Sequence, residues 1–66
     1  MKLHELEKVI ATPYIVLDIC DATGDVMATR EISSYRGRRI ICAEHADDDV
    51  LYVTTKNGIL NIALRL

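Results

Sequence analysis

The Asn57-Gly58 pair near the C-terminal end is the sequence feature that most constrains the fold of this chain. Both central residues of a type I′ β-turn need a positive φ, and Asn-Gly is the pair that adopts it most readily. The runs LYVTTK before the pair and ILNIALRL after it alternate, as strands with one buried face do. The face of the second run that is expected to be buried carries Leu60, Ile62, Leu64 and Leu66. The pattern therefore predicts an antiparallel hairpin that ends the chain.

The rest of the chain predicts one helix and further short strands. Residues 2–10 place apolar side chains at helical spacing, and Pro13 ends this helix. The alternating run at 14–20, the weakly patterned run at 26–32 and the run at 38–45 predict three more strands, with turns at 21–25 and 46–49 and one helical turn or tight loop at 33–37. Short loops favour antiparallel neighbours. We therefore expect a single α+β domain over residues 1–66, with a short N-terminal helix packed on an antiparallel sheet of about five strands.

The shortness of the chain predicts that something besides its own core stabilises it. A chain of 66 residues is near the lower limit for folding alone. Cys20 and Cys42 lie within apolar runs, which is typical of small buried thiols, and the charged N-terminus does not resemble a signal peptide. We therefore expect reduced cysteines and a cytoplasmic location. Neither a metal nor a cofactor is predicted, because no CxxC or HxxxH spacing occurs. A second copy of the chain is the remaining source of stability, so we expect a homo-oligomer.

An excess of apolar residues indicates where such an interface lies. Half of the residues are apolar (50%), and the mean hydropathy of +0.13 is high for a chain with so little interior. Tyr14, Val16 and Ile59 fall on the strand faces opposite the predicted core. Exposed apolar patches mark interaction surfaces in small proteins. These three residues form the predicted interface.

An arginine-rich segment is the predicted place for a ligand. Its members are Arg30, Arg36, Arg38 and Arg39, with Tyr35 among them. Guanidinium groups suit phosphate or carboxylate, and a tyrosine ring can stack on a base. The alternative is a solvated loop whose charges offset nearby Asp and Glu. Both interpretations stay open from the sequence.

The remaining chemistry-bearing residues favour structural roles over catalysis. The acidic residues at 18–25 and 47–49 lack the spacing and central glycine of a calcium loop, and they are typical of turns. Asp18, inside an apolar strand, is expected to face solvent or to pair with an arginine on a neighbouring strand. On a strand, Cys42 and His45 would point to opposite faces, which disfavours a catalytic dyad. We therefore predict no enzyme. The net charge of −2 disfavours nucleic-acid binding.

The order of these segments resembles that of small accessory proteins encoded by bacteriophages and prophages. The segments that carry the resemblance are KLHELEKVI, YIVLDICDATGDV, YRGRRI and DDDVLYVTTKNGILNIAL. The YRG spacer is short for that pattern, and the NGILNIALRL strand extends its end. The resemblance implies a phage-type accessory protein, a class that includes inhibitors of host systems, and it assigns no functional residue.

Two functions follow as hypotheses. The first is a non-enzymatic interaction protein, a homo-oligomer whose sheet edge or uncovered sheet face binds another protein. The alternative is an oligomeric module that sequesters a nucleotide-like anion through Tyr35 and the arginine cluster. The apolar surplus favours the first, and the clustered guanidinium groups favour the second.

Overall fold

The computed structural model describes residues 1–66 as two helices and one four-stranded sheet. In chain order the elements are α1 (Leu3–Glu7), β1 (Ile15–Cys20), β2 (Val26–Ile32), α2 (Tyr35–Glu44), β3 (Asp49–Lys56) and β4 (Ile59–Arg65). The strand order across the sheet is β2-β1-β4-β3. β1 pairs antiparallel with β2 but parallel with β4, and β3 pairs antiparallel with β4. The α+β class is confirmed, whereas the predicted fifth strand and the purely antiparallel sheet are wrong.

The fifth strand, predicted at 38–45, is part of helix α2. Ser34 is its N-cap, and its side chain accepts a hydrogen bond from the backbone N–H of Gly37 at 3.0 Å. Gly37, the last residue of the helical turn or loop predicted at 33–37, instead lies in the first turn of α2. A Cβ at this position would come within 3.0 Å of the Ser34 Oγ and 3.3 Å of the Ile32 Cγ2. A side chain at this position would therefore push against the capping Ser34, because α2 starts close to the end of β2.

Both predicted hairpin turns are present. Asn57 and Gly58 have φ values of 54° and 77°, and they join Lys56 to its cross-strand partner Ile59. In the other turn, the Asp21 side chain accepts from the backbone N–H of Thr23 at 2.9 Å and from that of Asp25 at 3.1 Å. A further hydrogen bond from the Thr23 hydroxyl holds the pKa of Asp21 below its usual value.

The N-terminal helix is shorter than predicted and is attached to the start of β3. α1 spans Leu3–Glu7 instead of residues 2–10, and the Glu5 side chain accepts from the Lys2 backbone N–H at 2.8 Å. The backbone N–H of Leu3 donates to the Asp48 carbonyl at 3.0 Å. Five residues are too few for an independent helix, so tertiary contacts hold α1. Neither helix of the chain is long and apolar enough to cross a membrane.

One hydrophobic cluster connects both helices to the same face of the sheet. It consists of Leu3, Ile10, Ile15, Leu17, Ile41, Cys42, Ile62 and Leu64. The alternation predicted for β1 and β4 is confirmed at Ile15, Leu17, Ile62 and Leu64, whereas Leu66, on the face predicted to be buried, is 64% exposed. The opposite face of the sheet is covered by neither helix, and we call it the open face.

Candidate functional site

A hydrogen-bonded row of polar side chains crosses the open face. The Thr29 hydroxyl on β2 donates to one carboxylate oxygen of Asp18 at 2.9 Å, and the Asn61 amide on β4 donates to the other at 3.0 Å. Asp18 lies on β1 between them. Of the two alternatives predicted for Asp18, the arginine partner is not found, because Thr29 and Asn61 bind its oxygens. The row fixes the orientation of Asn61 at the centre of the face.

A pocket of about 150 Å³ lies next to this row. Its lining residues are Val16, Lys56, Asn57, Ile59 and Asn61. β1 supplies one of them, β4 supplies two, and the end of the β3–β4 hairpin supplies the rest. Sites for drug-sized ligands usually measure about 300–1,000 Å³. A pocket of this size fits one small side chain better than a whole nucleotide.

The structure brings together two of the three predicted interface residues. Val16 and Ile59 line the pocket from neighbouring strands, whereas Tyr14 lies immediately before β1, is exposed and does not line it. Sequence reasoning missed Lys56 and Asn57, which were assigned only to the hairpin. It also missed Asn61, although an amide inside an alternating apolar strand was a usable signal.

The predicted arginine cluster is divided between structural and free side chains. The Arg38 Nη1 donates to the carbonyls of Ile10 at 2.8 Å and Thr12 at 3.2 Å. Its guanidinium lies 5.3 Å from the centre of the Tyr35 ring, and the Tyr35 hydroxyl donates to the Ala11 carbonyl at 3.2 Å. Arg38 and Tyr35 therefore connect α2 to the segment before β1.

The other three arginines have no such contacts. Arg36 and Arg39 are exposed on α2, and Arg30 is exposed on β2, opposite Leu17 in the register. None of the three forms a salt bridge within the chain. Arg30 therefore falls on the same side of the sheet as the helices, away from the pocket.

One buried thiol and one hydrogen-bonded imidazole lie near the end of α2. Cys42 is buried within α2 and burial raises the pKa of its thiol to about 11. The His45 Nδ1 lies 2.7 Å from the Asp48 carboxylate. Cys42 and His45 belong to α2 and its C-cap, so the prediction that they occupy opposite faces of a strand is wrong. No group of three or more His, Cys, Asp or Glu side chains is placed to hold a metal ion.

Comparisons with protein-family models, with curated proteins and with solved structures found no match to this chain.

Proposed function

We propose that this chain is a non-enzymatic interaction protein whose open face binds another protein. In this proposal it acts as a homo-oligomer and belongs to the phage-type accessory class that its sequence resembles, which includes inhibitors of host systems. The cytoplasm is its proposed location. Two unpaired, buried cysteines are compatible with that reducing compartment.

The pocket on the open face carries this proposal. Val16 and Ile59 are its apolar lining residues, and Lys56 and Asn61 are among its polar ones. The Lys56 ammonium forms no salt bridge within the chain. A complementary surface would insert a small apolar side chain and offer a carboxylate or carbonyl oxygen to Lys56. This chemistry is typical of a protein partner.

A matched pair of isoleucines tests the open face. Ile59 at the pocket is 41% exposed, and Ile40 on α2, on the other side of the sheet, is 51% exposed. Ile59→Glu puts a charge at the pocket wall, and Ile40→Glu makes the same chemical change elsewhere. Each tagged variant is used for quantitative affinity capture from the native host. The candidate partner is then purified, and its dissociation constant is measured against the wild type and both variants.

We expect Ile59→Glu to weaken partner binding by at least about tenfold, which is about 1.4 kcal/mol, because a carboxylate would replace the apolar wall and would pair with the neighbouring Lys56 in place of the partner. Ile40→Glu is expected to bind like the wild type. Both should keep the wild-type circular dichroism spectrum. Equal dissociation constants for both variants would contradict a role for the open face. A higher dissociation constant for Ile40→Glu alone would contradict it as well.

The free arginines support a second candidate, an anion-sequestering module. Arg36 and Arg39 lie three residues apart on α2, so they share one side of the helix. In this candidate function, Arg36 and Arg39 of an oligomer would bind a nucleotide-like anion. Arg30 and the Tyr35 ring belong to the same predicted ligand site.

Thermal shift measurements test this second candidate. If it is correct, a nucleoside triphosphate or a dinucleotide raises the melting temperature of the wild type, because a ligand that binds only the folded state stabilises it. The double variant Arg36→Ala/Arg39→Ala should lose that shift while keeping its fold. The absence of any shift with either nucleotide would count against the module.

A further inference from the structure

The outer edge of β3 is uncharged and apolar over most of its length. β3 is one of the two edge strands of the sheet, and the run Leu51–Thr55 contains no charge, glycine or proline. Leu51, Tyr52 and Val53 are 41%, 50% and 40% exposed. β2, the other edge strand, carries Arg30 and Glu31. Soluble proteins usually protect long apolar edges from pairing, and β3 lacks the charged residues in mid-strand that protect β2.

The first residues of β3 are already paired on that edge. Lys2 forms an antiparallel bridge with Asp49, and the Val50 backbone N–H donates to the Met1 carbonyl at 2.8 Å. The Lys2 ammonium also lies 2.9 Å from the Asp49 carboxylate, which lowers the pKa of Asp49. The N-terminal residues therefore cover the start of the edge. They leave residues 52–56 as its free part.

Resting on the homo-oligomer proposed above, we infer that two copies of this chain pair antiparallel along the free part of β3, with Thr54 on the two-fold axis. An axis perpendicular to the sheet keeps each residue on its own face, so residues paired across it must share a face. By their partners in β4, Tyr52, Thr54 and Lys56 belong to the open face, and Val53 and Thr55 to the helix side. Axes at Val53, Thr54 and Thr55 satisfy this condition.

Only the axis at Thr54 uses the whole free edge. Because Leu51 is bulged out of the register, an axis at Val53 would place Lys56 of the second copy opposite Asp49, where Met1 and Lys2 already lie. With the axis at Thr55, the hairpin turn of the second copy would face Val53, and the pairing would shrink to three residues on each strand.

The Thr54 axis also places complementary side chains opposite each other. Tyr52 faces Lys56 of the second copy, a pair suited to cation–π contact, and Val53 faces Thr55 of the second copy. The two Lys56 ammonium groups stay several residues apart. The two sheets would join into one continuous sheet of eight strands, twice the four of a single copy.

Single cysteines on β3 test both the dimer and its register. Thr54→Cys places the thiol of one copy opposite the same thiol of the second copy, at the Cα separation of about 4.4–6.8 Å that a disulfide spans. Val53→Cys and Thr55→Cys are matched controls, because neither residue faces itself. Glutathione disulfide serves as the oxidant, and non-reducing electrophoresis reads out the covalent dimer. The native Cys20 and Cys42 are buried, so they add little background.

We expect Thr54→Cys to give a covalent dimer at least about tenfold faster than either control, because the thiols of the controls are offset along the strands. Dimer formation at Val53 or Thr55 but not at Thr54 would overturn this register. Sedimentation of Thr54→Lys over a wide concentration range adds a second readout. Two ammonium groups would meet on the axis, so this variant should be monomeric wherever the wild type is dimeric.

These results separate the edge inference from the proposed homo-oligomer. A wild type that stays monomeric at every concentration overturns both. In the second outcome the wild type is oligomeric, Thr54→Lys is equally oligomeric, and Thr54→Cys crosslinks no faster than its controls. That result would overturn the β3 interface but not the proposed homo-oligomer. An oligomer that needs Thr54 and crosslinks there supports both.

Discussion

Replacing Leu17 by alanine is expected to leave much of the chain unfolded at room temperature. Leu17 is 0% exposed on β1, where it faces Ile62 of β4 in the parallel register. Truncating a buried leucine costs about 2–5 kcal/mol, through lost transfer free energy and the cavity that remains. A folded chain of this length has a total unfolding free energy of only about 3–10 kcal/mol. The substitution therefore removes a large part of the total.

Urea denaturation followed by far-ultraviolet circular dichroism measures this effect. Leu51→Ala is the matched control, because Leu51 lies at the bulge of edge strand β3 and is exposed. Its unfolding free energy is expected to stay within about 1 kcal/mol of the wild type, since truncation there leaves no closed cavity. Equal midpoints for Leu17→Ala and the wild type would contradict the position of the core described here.

Features decided by neighbouring residues were predictable from the sequence. The Asn57-Gly58 turn sets its own backbone angles, so the last hairpin followed from two residues. The alternation in β1 identified Ile15 and Leu17 as core residues, because a one-residue slip would move both to solvent. Such rules act within a few residues and need no knowledge of the rest of the chain.

Helix α2 was not predictable in the same way. The run RRIICAEH is too short to separate a strand period from a helical one. Within it the adjacent residues Ile41 and Cys42 are buried while Ile40 is exposed, which is not strand alternation. Gly37 added to the error, because glycine commonly follows a helix end. Its actual role is to allow close contact with Ser34 and Ile32.

The parallel pairing of β1 with β4 depends on contacts far apart in the chain. Short loops favour a meander in which each strand lies beside the next. Here β4 enters between β1 and β3, and α2 connects β2 to the far edge of the sheet. This pairing brings Val16 beside Ile59 and Asn61 at the pocket. Val16 and Ile59 were predicted as apolar residues on the face opposite the core, but their meeting in one pocket depends on this non-local pairing.

Arg38→Ala is expected to destabilise the fold, even though its position in an arginine cluster suggests a ligand site. The Arg38 guanidinium donates hydrogen bonds from α2 to the carbonyls of Ile10 and Thr12. In Arg38→Ala both carbonyls would lose this donor. Hydrogen bonds that involve a charged group contribute about 1.5–3 kcal/mol. We expect a loss of about 2 kcal/mol in the unfolding free energy, measured by urea denaturation without any ligand. Arg38→Lys should restore part of it, because an ammonium can reach one carbonyl but lacks the planar contact with Tyr35.

Arg39→Ala is the matched control on the next residue of the same helix. Arg39 is exposed and has no salt bridge in the chain, so its removal should change the unfolding free energy by no more than about 0.5 kcal/mol. Equal stability of Arg38→Ala and Arg39→Ala would contradict the structural role of Arg38 and return it to the anion-binding hypothesis. If only Arg38→Ala is destabilised, any loss of anion binding in that variant reflects a damaged fold. The free side chains of Arg36 and Arg39 are then the proper test of that hypothesis.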